Sequence, residues 1–212
     1  MTKEEVEKFL KNEVLPSLSG FRVSGRLCYR PPATNLLRGL FLDQTSSEFE
    51  LHLNVFVQPL YVPSPCLYFN FGERVGDPAR HNMRWNLSPN LRGKSAQTLV
   101  EVIKGWNENF LVKIETPHDL ALYLEPSLRT RPDDLHLLEA LAYSRILSGD
   151  AANAVHDLEL LHKRNNRTYP WELELSARVA KIKSLLLDIG LEAAKNQLYQ
   201  WEEFTKAVIK LR

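Results

Sequence analysis

The segment FELHLNVFV, residues 49–57, alternates apolar side chains with mostly polar ones. Successive side chains of a β-strand point to opposite faces of a sheet, so this period of two predicts a strand that is buried on one face. A lone strand cannot bury that face, because its backbone groups and its apolar side chains both need partners. The chain must therefore build a sheet around this segment and cover one side of it.

Further segments predict the rest of the sheet. Residues 20–30 alternate as one strand, and residues 67–71 are apolar enough to form another. Residues 35–43 are apolar with little alternation, which indicates a strand buried on both faces or a bulge at Gly39. Short strands joined by turns predict an antiparallel sheet of about four to five strands.

Helical patterns flank the sheet segments in the sequence. Thr2 and Glu5 have the spacing of a capping box, which starts an N-terminal helix that is expected to cover the sheet. After residue 95 the apolar side chains recur at helical spacing to the end of the chain. The fold class is therefore α+β, with an all-helical C-terminal half built of helical hairpins. The predicted regions are 1–115 and 116–212, either as separate lobes or as one body.

The composition excludes several classes of protein. Apolar residues make up 44% of the chain and the net charge is +1, so neither disorder nor a strong field for nucleic acid is expected. No apolar run is long enough to span a membrane. Cys28 and Cys66 lack the CxxC spacing of a redox or metal motif. These features favour a cytoplasmic protein in a reducing compartment, with no cofactor.

The pair of predicted helices over residues 135–163 resembles a tetratricopeptide-like hairpin. Small residues in that family let two helices pack closely, and a second helix–glycine–helix unit follows at residues 171–211. The resemblance implies a repeat relation, and an ordinary helical bundle is the alternative. The residues that carry the resemblance are Leu138, Leu141, Ala142, Gly149, Asp150, Ala154, Leu158 and Leu161.

The N-terminal part resembles a bacterial family known as a domain of unknown function, through the segment FVQPLYVPSPCLYFNFGERVG. Members of that family run from a helix through an antiparallel sheet to further helices. The resemblance covers about residues 1–130 and implies a bacterial origin and the α+β layout. It implies no activity and no site residues.

Two groups of arginines are candidate binding residues. Arg22 and Arg26 share one face of the predicted strand 20–30, so they either bind an anion or pair with Glu48, Glu50 and His52 across the sheet. The segment 72–94 is expected to be a long loop with one short strand near its tryptophan, and its arginines lie within residues 74–94. Its candidate binding residues are Arg74, Arg80, Arg84 and Trp85. Basic side chains beside an aromatic ring can hold phosphates and stack a base, and a structural or partner-binding loop is the alternative.

No catalytic or metal motif is present in the sequence. The chain lacks a GxSxG elbow, a P-loop and a GxGxxG turn. Phe56, Tyr61, Tyr68 and Trp85 lie near one another in the sequence and predict either an interface or a buried core.

The leading hypothesis is a non-enzymatic protein-binding module, of the immunity or adaptor kind, with a protein partner or self-association. It rests on a sheet without catalytic motifs, on helical hairpins and on a net charge close to zero. This is an analogy at the level of the fold. The alternative is an enzyme or sensor that binds a phosphorylated or nucleotide ligand through the arginines of segment 74–94. That alternative predicts that Arg80 and Arg84 converge with Arg22 or Arg26 on a pocket.

Overall fold

The computed structural model describes residues 1–211, apart from the side chain of Arg92. The chain divides into two compact units. The sheet unit comprises residues 1–58 and 67–113, and the helical unit comprises residues 59–66 together with the chain from Ile114 onward. The predicted boundary between residues 115 and 116 stays a prediction. The sequence did not indicate that residues 59–66 belong to the helical unit.

Six antiparallel strands form the sheet. They are β1 Arg22–Ser24, β2 Leu27–Tyr29, β3 Leu36–Gln44, β4 Glu50–Pro59, β5 Gly72–Val75 and β6 Trp85–Asn86. The first five lie side by side in chain order, and β6 pairs with β4. The predicted strand at 49–57 is confirmed over residues 50–57. Its apolar face is buried from Leu51 onward, but Asn54, Phe56 and Gln58 on the opposite face are buried as well, so the prediction that only one face is buried is wrong.

Helices account for most of the remaining chain. They are α1 Lys3–Phe9, α2 Arg92–Trp106, α3 Pro117–Thr130, α4 Leu135–Leu147, α5 Ala151–Arg164, α6 Pro170–Ser184 and α7 Leu191–Ile209. The helices α1, α2 and α6 each continue into a π-helical turn. The capping box at the start of α1 is present, because Thr2 accepts a hydrogen bond from the Glu5 N–H and the Glu5 carboxylate accepts one from Thr2. The α+β fold class is confirmed.

The predicted single strand over residues 20–30 is wrong. Gly25 has a φ of 60° and reverses the chain, so β1 and β2 form a hairpin in which Arg22 pairs with Tyr29. A positive φ is readily adopted by glycine, which has no Cβ to clash. Arg26 therefore lies in the turn and not on a strand.

The strand β3 is buried on both faces, and its register with β2 shows no bulge at Gly39. A Cβ on Gly39 would lie 2.5 Å from the backbone oxygen of Cys28, so glycine permits the close approach of the two strands. The predicted strand at 67–71 is also wrong. Phe69 in that segment packs its ring against Phe41 and Phe56, and the ladder begins only at Gly72.

The helical unit is built around α4. This helix packs against α3, α5 and α7, and α6 packs against α5 and α7, so α4 to α7 close into a four-membered cycle. Nearly every side chain of α4 is buried, from Leu137 to Ser144. Among the described residues, no helix has the length and apolar character needed to cross a membrane.

Candidate protein-binding surface

The arginines predicted to bind a ligand are spread over the sheet unit. The Arg26 guanidinium lies 3.2 Å from the Asp43 carboxylate and over the ring of Phe41 at 5.4 Å. Arg22 is exposed at the start of β1. The strand β3 separates both arginines from β4, so the expected ion pairs with Glu48, Glu50 and His52 are wrong.

The arginines of segment 74–94 have partners within that part of the sheet. Arg84 lies 3.2 Å from the Glu50 carboxylate, and Arg80 lies 3.8 Å from Asp77. The Arg74 Nε donates to the Asn54 side-chain oxygen at 3.3 Å. The Arg92 side chain lies outside the described part of the structure. Three clefts are described in the molecule, and none of them is lined by the predicted arginines. The ligand-binding hypothesis for these arginines stays a prediction.

Trp85 is fully buried, and the short strand predicted beside it is present as β6. Its indole N–H donates to the Val75 backbone oxygen at 2.8 Å. Stacking on a base needs an exposed ring face, which Trp85 does not present. Phe56 and Tyr61 are also fully buried, so the core interpretation of these aromatic residues is confirmed for them.

The described part of the chain contains no metal cluster, and its buried cysteine, Cys28, is not an activated thiol. No group of three or more His, Cys, Asp or Glu side chains is placed to hold a metal ion among the residues described. Burial raises the pKa of the Cys28 thiol to about 12. A thiol with a raised pKa is a poor nucleophile at neutral pH, because the thiolate is the reactive form.

Exposed large apolar side chains are concentrated in the last two helices and the loop before them. Eight of the twelve in the described chain lie between residues 169 and 208, and we call them the C-terminal apolar surface. Isolated exposed apolar residues are common. The eight residues span more than one helix face, since two residues along α6 turn by about 200° and set Trp171 and Leu173 on opposite sides, and their number favours an interaction region. Its members are Tyr169, Trp171, Leu173, Leu187, Ile189, Tyr199, Phe204 and Val208.

A cleft of about 670 Å³ opens where α4 and α6 begin and α5 ends. The His136 ring stacks on the Trp171 ring with their centres 4.8 Å apart. The Glu172 carboxylate accepts hydrogen bonds from two backbone N–H groups, and Arg164 lies 3.9 Å from the Asp133 carboxylate. Besides these paired charges, the cleft presents the exposed Lys163 side chain and the half-exposed Trp171 ring to solvent. No serine, threonine or cysteine is among its described lining residues.

A buried ion pair fixes α6 against α4. The Glu139 carboxylate is fully buried, and the Arg178 Nε and Nη2 donate to its two oxygens at 2.8 and 3.0 Å. This two-pronged geometry restrains both side chains. Burial raises the pKa of the neighbouring Tyr143 hydroxyl, so that group stays protonated. Among the described residues, the Tyr143 hydroxyl has no hydrogen-bond partner.

Residues 59–66 are inserted into the same unit, and we call them the inserted segment. The Ser144 hydroxyl donates its hydrogen to the Ala140 backbone oxygen at 2.6 Å, so Tyr61 must donate to the Ser144 oxygen at 2.5 Å. Thr205 on α7 donates to the Val62 backbone oxygen at 3.4 Å. The inserted segment therefore bridges α4 and α7, and α7 carries three members of the C-terminal apolar surface, Tyr199, Phe204 and Val208.

Comparison with known proteins gives no relative: no protein-family model, no curated protein and no solved structure matches the chain.

Sequence reasoning did not find the C-terminal apolar surface. Periodicity predicts one apolar stripe on α6 and its π-helical turn, formed by Leu175, Val179, Ile182, Leu186 and Ile189, of which the first four are buried and Ile189 is exposed. The stripe predicted on α7, formed by Leu191, Ala194, Leu198, Trp201, Phe204 and Val208, likewise includes two exposed residues, Phe204 and Val208, so the prediction is wrong for these two and for Ile189. A signal for a second stripe is present, because Leu173 and Leu187 stand fourteen residues apart, which is close to four helical turns. The spacing alone does not say which of two stripes a neighbour covers.

Proposed function

We propose that this chain is a non-enzymatic protein-binding module that recognises its partner through the C-terminal apolar surface. The observation that carries the proposal is the concentration of eight exposed large apolar side chains between residues 169 and 208. Aromatic and apolar side chains at the centre of an interface supply most of the binding free energy. The surface includes Trp171 and two tyrosines, which are residue types enriched at such centres.

The finer proposal is an immunity-type or adaptor protein of the bacterial cytoplasm. Its support is the α+β fold and Cys28, a buried cysteine outside any disulfide, which fits a reducing compartment. An immunity protein acts by binding a toxin, and an adaptor acts by joining two proteins. Either role needs a rigid surface, and the Glu139–Arg178 pair and the inserted segment supply that rigidity here.

Affinity capture from the source cells tests this proposal. The native chain should retain one protein in equimolar amount, and the double variant Leu173→Glu, Phe204→Glu should lose it, because each substitution puts a charge on the apolar surface. The matched control is Met83→Glu, which changes an exposed apolar side chain of the sheet unit. Loss of the captured protein with Met83→Glu alone, or equal capture by all three proteins, would refute the proposed surface.

A further inference from the structure

The cleft where α4 and α6 begin is lined by a buried carboxylate that has one acceptor oxygen to spare. Glu172 belongs to the lining and is only 7% exposed. The N–H groups of Thr168 and Tyr169 both donate to its Oε2 atom, at 2.6 and 3.1 Å. Among the described residues, no donor is bonded to Oε1 and no basic side chain forms an ion pair with this carboxylate. Since buried carboxylates are normally paired with a cation, Oε1 favours a cationic donor.

An aromatic ring lines the same cleft. The Trp171 ring is stacked on the His136 ring at an angle of 25°, and Trp171 remains 41% exposed. His136 therefore supports the indole from one side and restrains its orientation. The face of an indole ring has a negative electrostatic potential that attracts cations, and arginine forms such contacts more often than lysine. Trp171 and Glu172 thus favour the same class of ligand.

Most of the other charges in the cleft lining already have partners. Asp134 lies 3.3 Å from Arg131, and Arg164 lies 3.9 Å from Asp133. Lys163 is exposed and has no acidic partner among the described residues. Its charge opposes the binding of a cation, but solvent and salt screen an exposed charge more than a buried one. The buried carboxylate therefore dominates the choice of ligand.

An anionic ligand fits this cleft less well. The backbone N–H groups at the start of a helix can bind an anion when they are free. At the start of α4, however, Asp134 already accepts the N–H of Leu137 at 3.0 Å. Before α6, Glu172 accepts two more N–H groups. An anion would also lie against the buried Glu172 carboxylate, and like charges placed close together oppose binding.

From this charge complementarity we infer that the cleft binds an arginine side chain of the protein partner. The guanidinium stacks on the exposed part of the Trp171 ring and donates to Oε1 of Glu172. A guanidinium is planar and has its N–H donors at its edge, so it can stack on a ring and bond to a carboxylate at the same time. The inference rests on the proposed protein-binding function and specifies one side chain of the partner, next to the C-terminal apolar surface to which Trp171 belongs.

The test is an NMR titration of the isotope-labelled native chain with Nα-acetylarginine amide. The chain has four tryptophans, and the indole signal that is missing from Trp171→Phe identifies the Trp171 N–H. Arginine amide should shift this signal with a dissociation constant in the millimolar range, as expected for a single side chain. Nα-acetylcitrulline amide should not shift it, because citrulline has nearly the same shape as arginine and no charge.

Four variants test the assigned contacts. Glu172→Gln removes the buried charge and should weaken binding about tenfold, and Trp171→Ala should weaken it about threefold. Lys163→Gln should act in the opposite direction and strengthen binding about twofold at low salt, because it removes a repelling charge. The matched control is Lys181→Gln, an exposed position of α6 outside the cleft lining, which should leave the affinity unchanged.

Three outcomes would overturn the inference. They are equal binding of the arginine and citrulline amides, an unchanged affinity for Glu172→Gln in a protein with native circular dichroism, and weaker arginine binding by Lys163→Gln. The proposed function fails separately. A cellular protein captured equally by the native chain and by Glu172→Gln would support protein binding and refute an arginine of the partner in this cleft. Arginine binding at Trp171 with no cellular protein captured would refute the proposed function.

Discussion

Replacing Arg178 by methionine should destabilise the helical unit strongly. The Glu139 carboxylate is fully buried, and it receives both hydrogen bonds of the ion pair from Arg178. Without this partner the buried carboxylate is still removed from water, but it no longer has the hydrogen bonds and the opposite charge that offset the free energy of desolvation. Breaking a buried pair in this way costs about 3–5 kcal/mol. The Arg178 side chain is 20% exposed, so water reaches part of it and the lower end, about 3 kcal/mol, applies here.

The companion variants separate the pair from the packing. Glu139→Leu alone should cost less than Arg178→Met, because the guanidinium that remains can turn its charge toward water. The double variant Glu139→Leu, Arg178→Met buries no charge, and its stability should lie within about 1 kcal/mol of the native chain. The matched control is Lys183→Met on the same helix, which removes a 3.2 Å pair with Glu159 that is largely exposed. It should cost less than about 1 kcal/mol.

Urea unfolding followed by far-UV circular dichroism measures all four free energies of unfolding. Arg178→Met should lose the most free energy of unfolding and Glu139→Leu should lose less. The double variant and Lys183→Met should lose the least. The reasoning would be refuted if Arg178→Met lost no more than Lys183→Met. It would also fail if the double variant lost the sum of its two single losses, because the side chains would then not interact.

Four further substitutions test other parts of the fold by the same unfolding measurement. Ser144→Ala should cost about 1–3 kcal/mol, because it leaves the buried Tyr61 hydroxyl without an acceptor, whereas Tyr61→Phe should cost only about 1 kcal/mol. A larger loss for Tyr61→Phe would contradict the assignment of Tyr61 as the donor. Asp119→Asn should cost about 1 kcal/mol at neutral pH. Burial raises the pKa of the Asp119 carboxyl, but hydrogen bonds from Thr116 and the adjacent backbone lower it, and the net result is a pKa below 3.8. The difference in free energy of unfolding between the native chain and Asp119→Asn should therefore persist above pH 3.8 and vanish as the pH falls through the lowered pKa. Trp85→Phe should cost about 1–3 kcal/mol through the lost indole hydrogen bond and a small cavity, and an unchanged stability would exclude both effects.

The sheet shows which local patterns determine structure. The alternation at 49–57 correctly predicted the position of β4, because a period of two matches the alternating faces of a strand. The same alternation misled at 20–30, where Gly25 reverses the chain. The apolar run at 67–71 also misled, because the Phe69 ring packs against Phe41 and Phe56 and the next strand begins only at Gly72. Periodicity reports the faces of an extended chain, but it does not report where the chain turns.

The candidate surface depends on contacts between distant parts of the chain. Thr205 bonds to Val62 across 143 residues, so no local pattern predicts that the inserted segment belongs to the helical unit. For α6, the sequence contains both apolar stripes, and only the packing of α5 and α7 decides which one is buried. The predicted arginine residues were conspicuous in the sequence because they are charged, whereas the exposed apolar residues resembled those of an ordinary core.

The most direct test of the central claim is hydrogen–deuterium exchange on the native chain, with and without the protein captured from its source cells. We predict that binding slows exchange in residues 170–211 and leaves the sheet unit unchanged. Protection confined to residues 72–86, which contain the arginines Arg74, Arg80 and Arg84, would contradict the account and favour a site on the sheet.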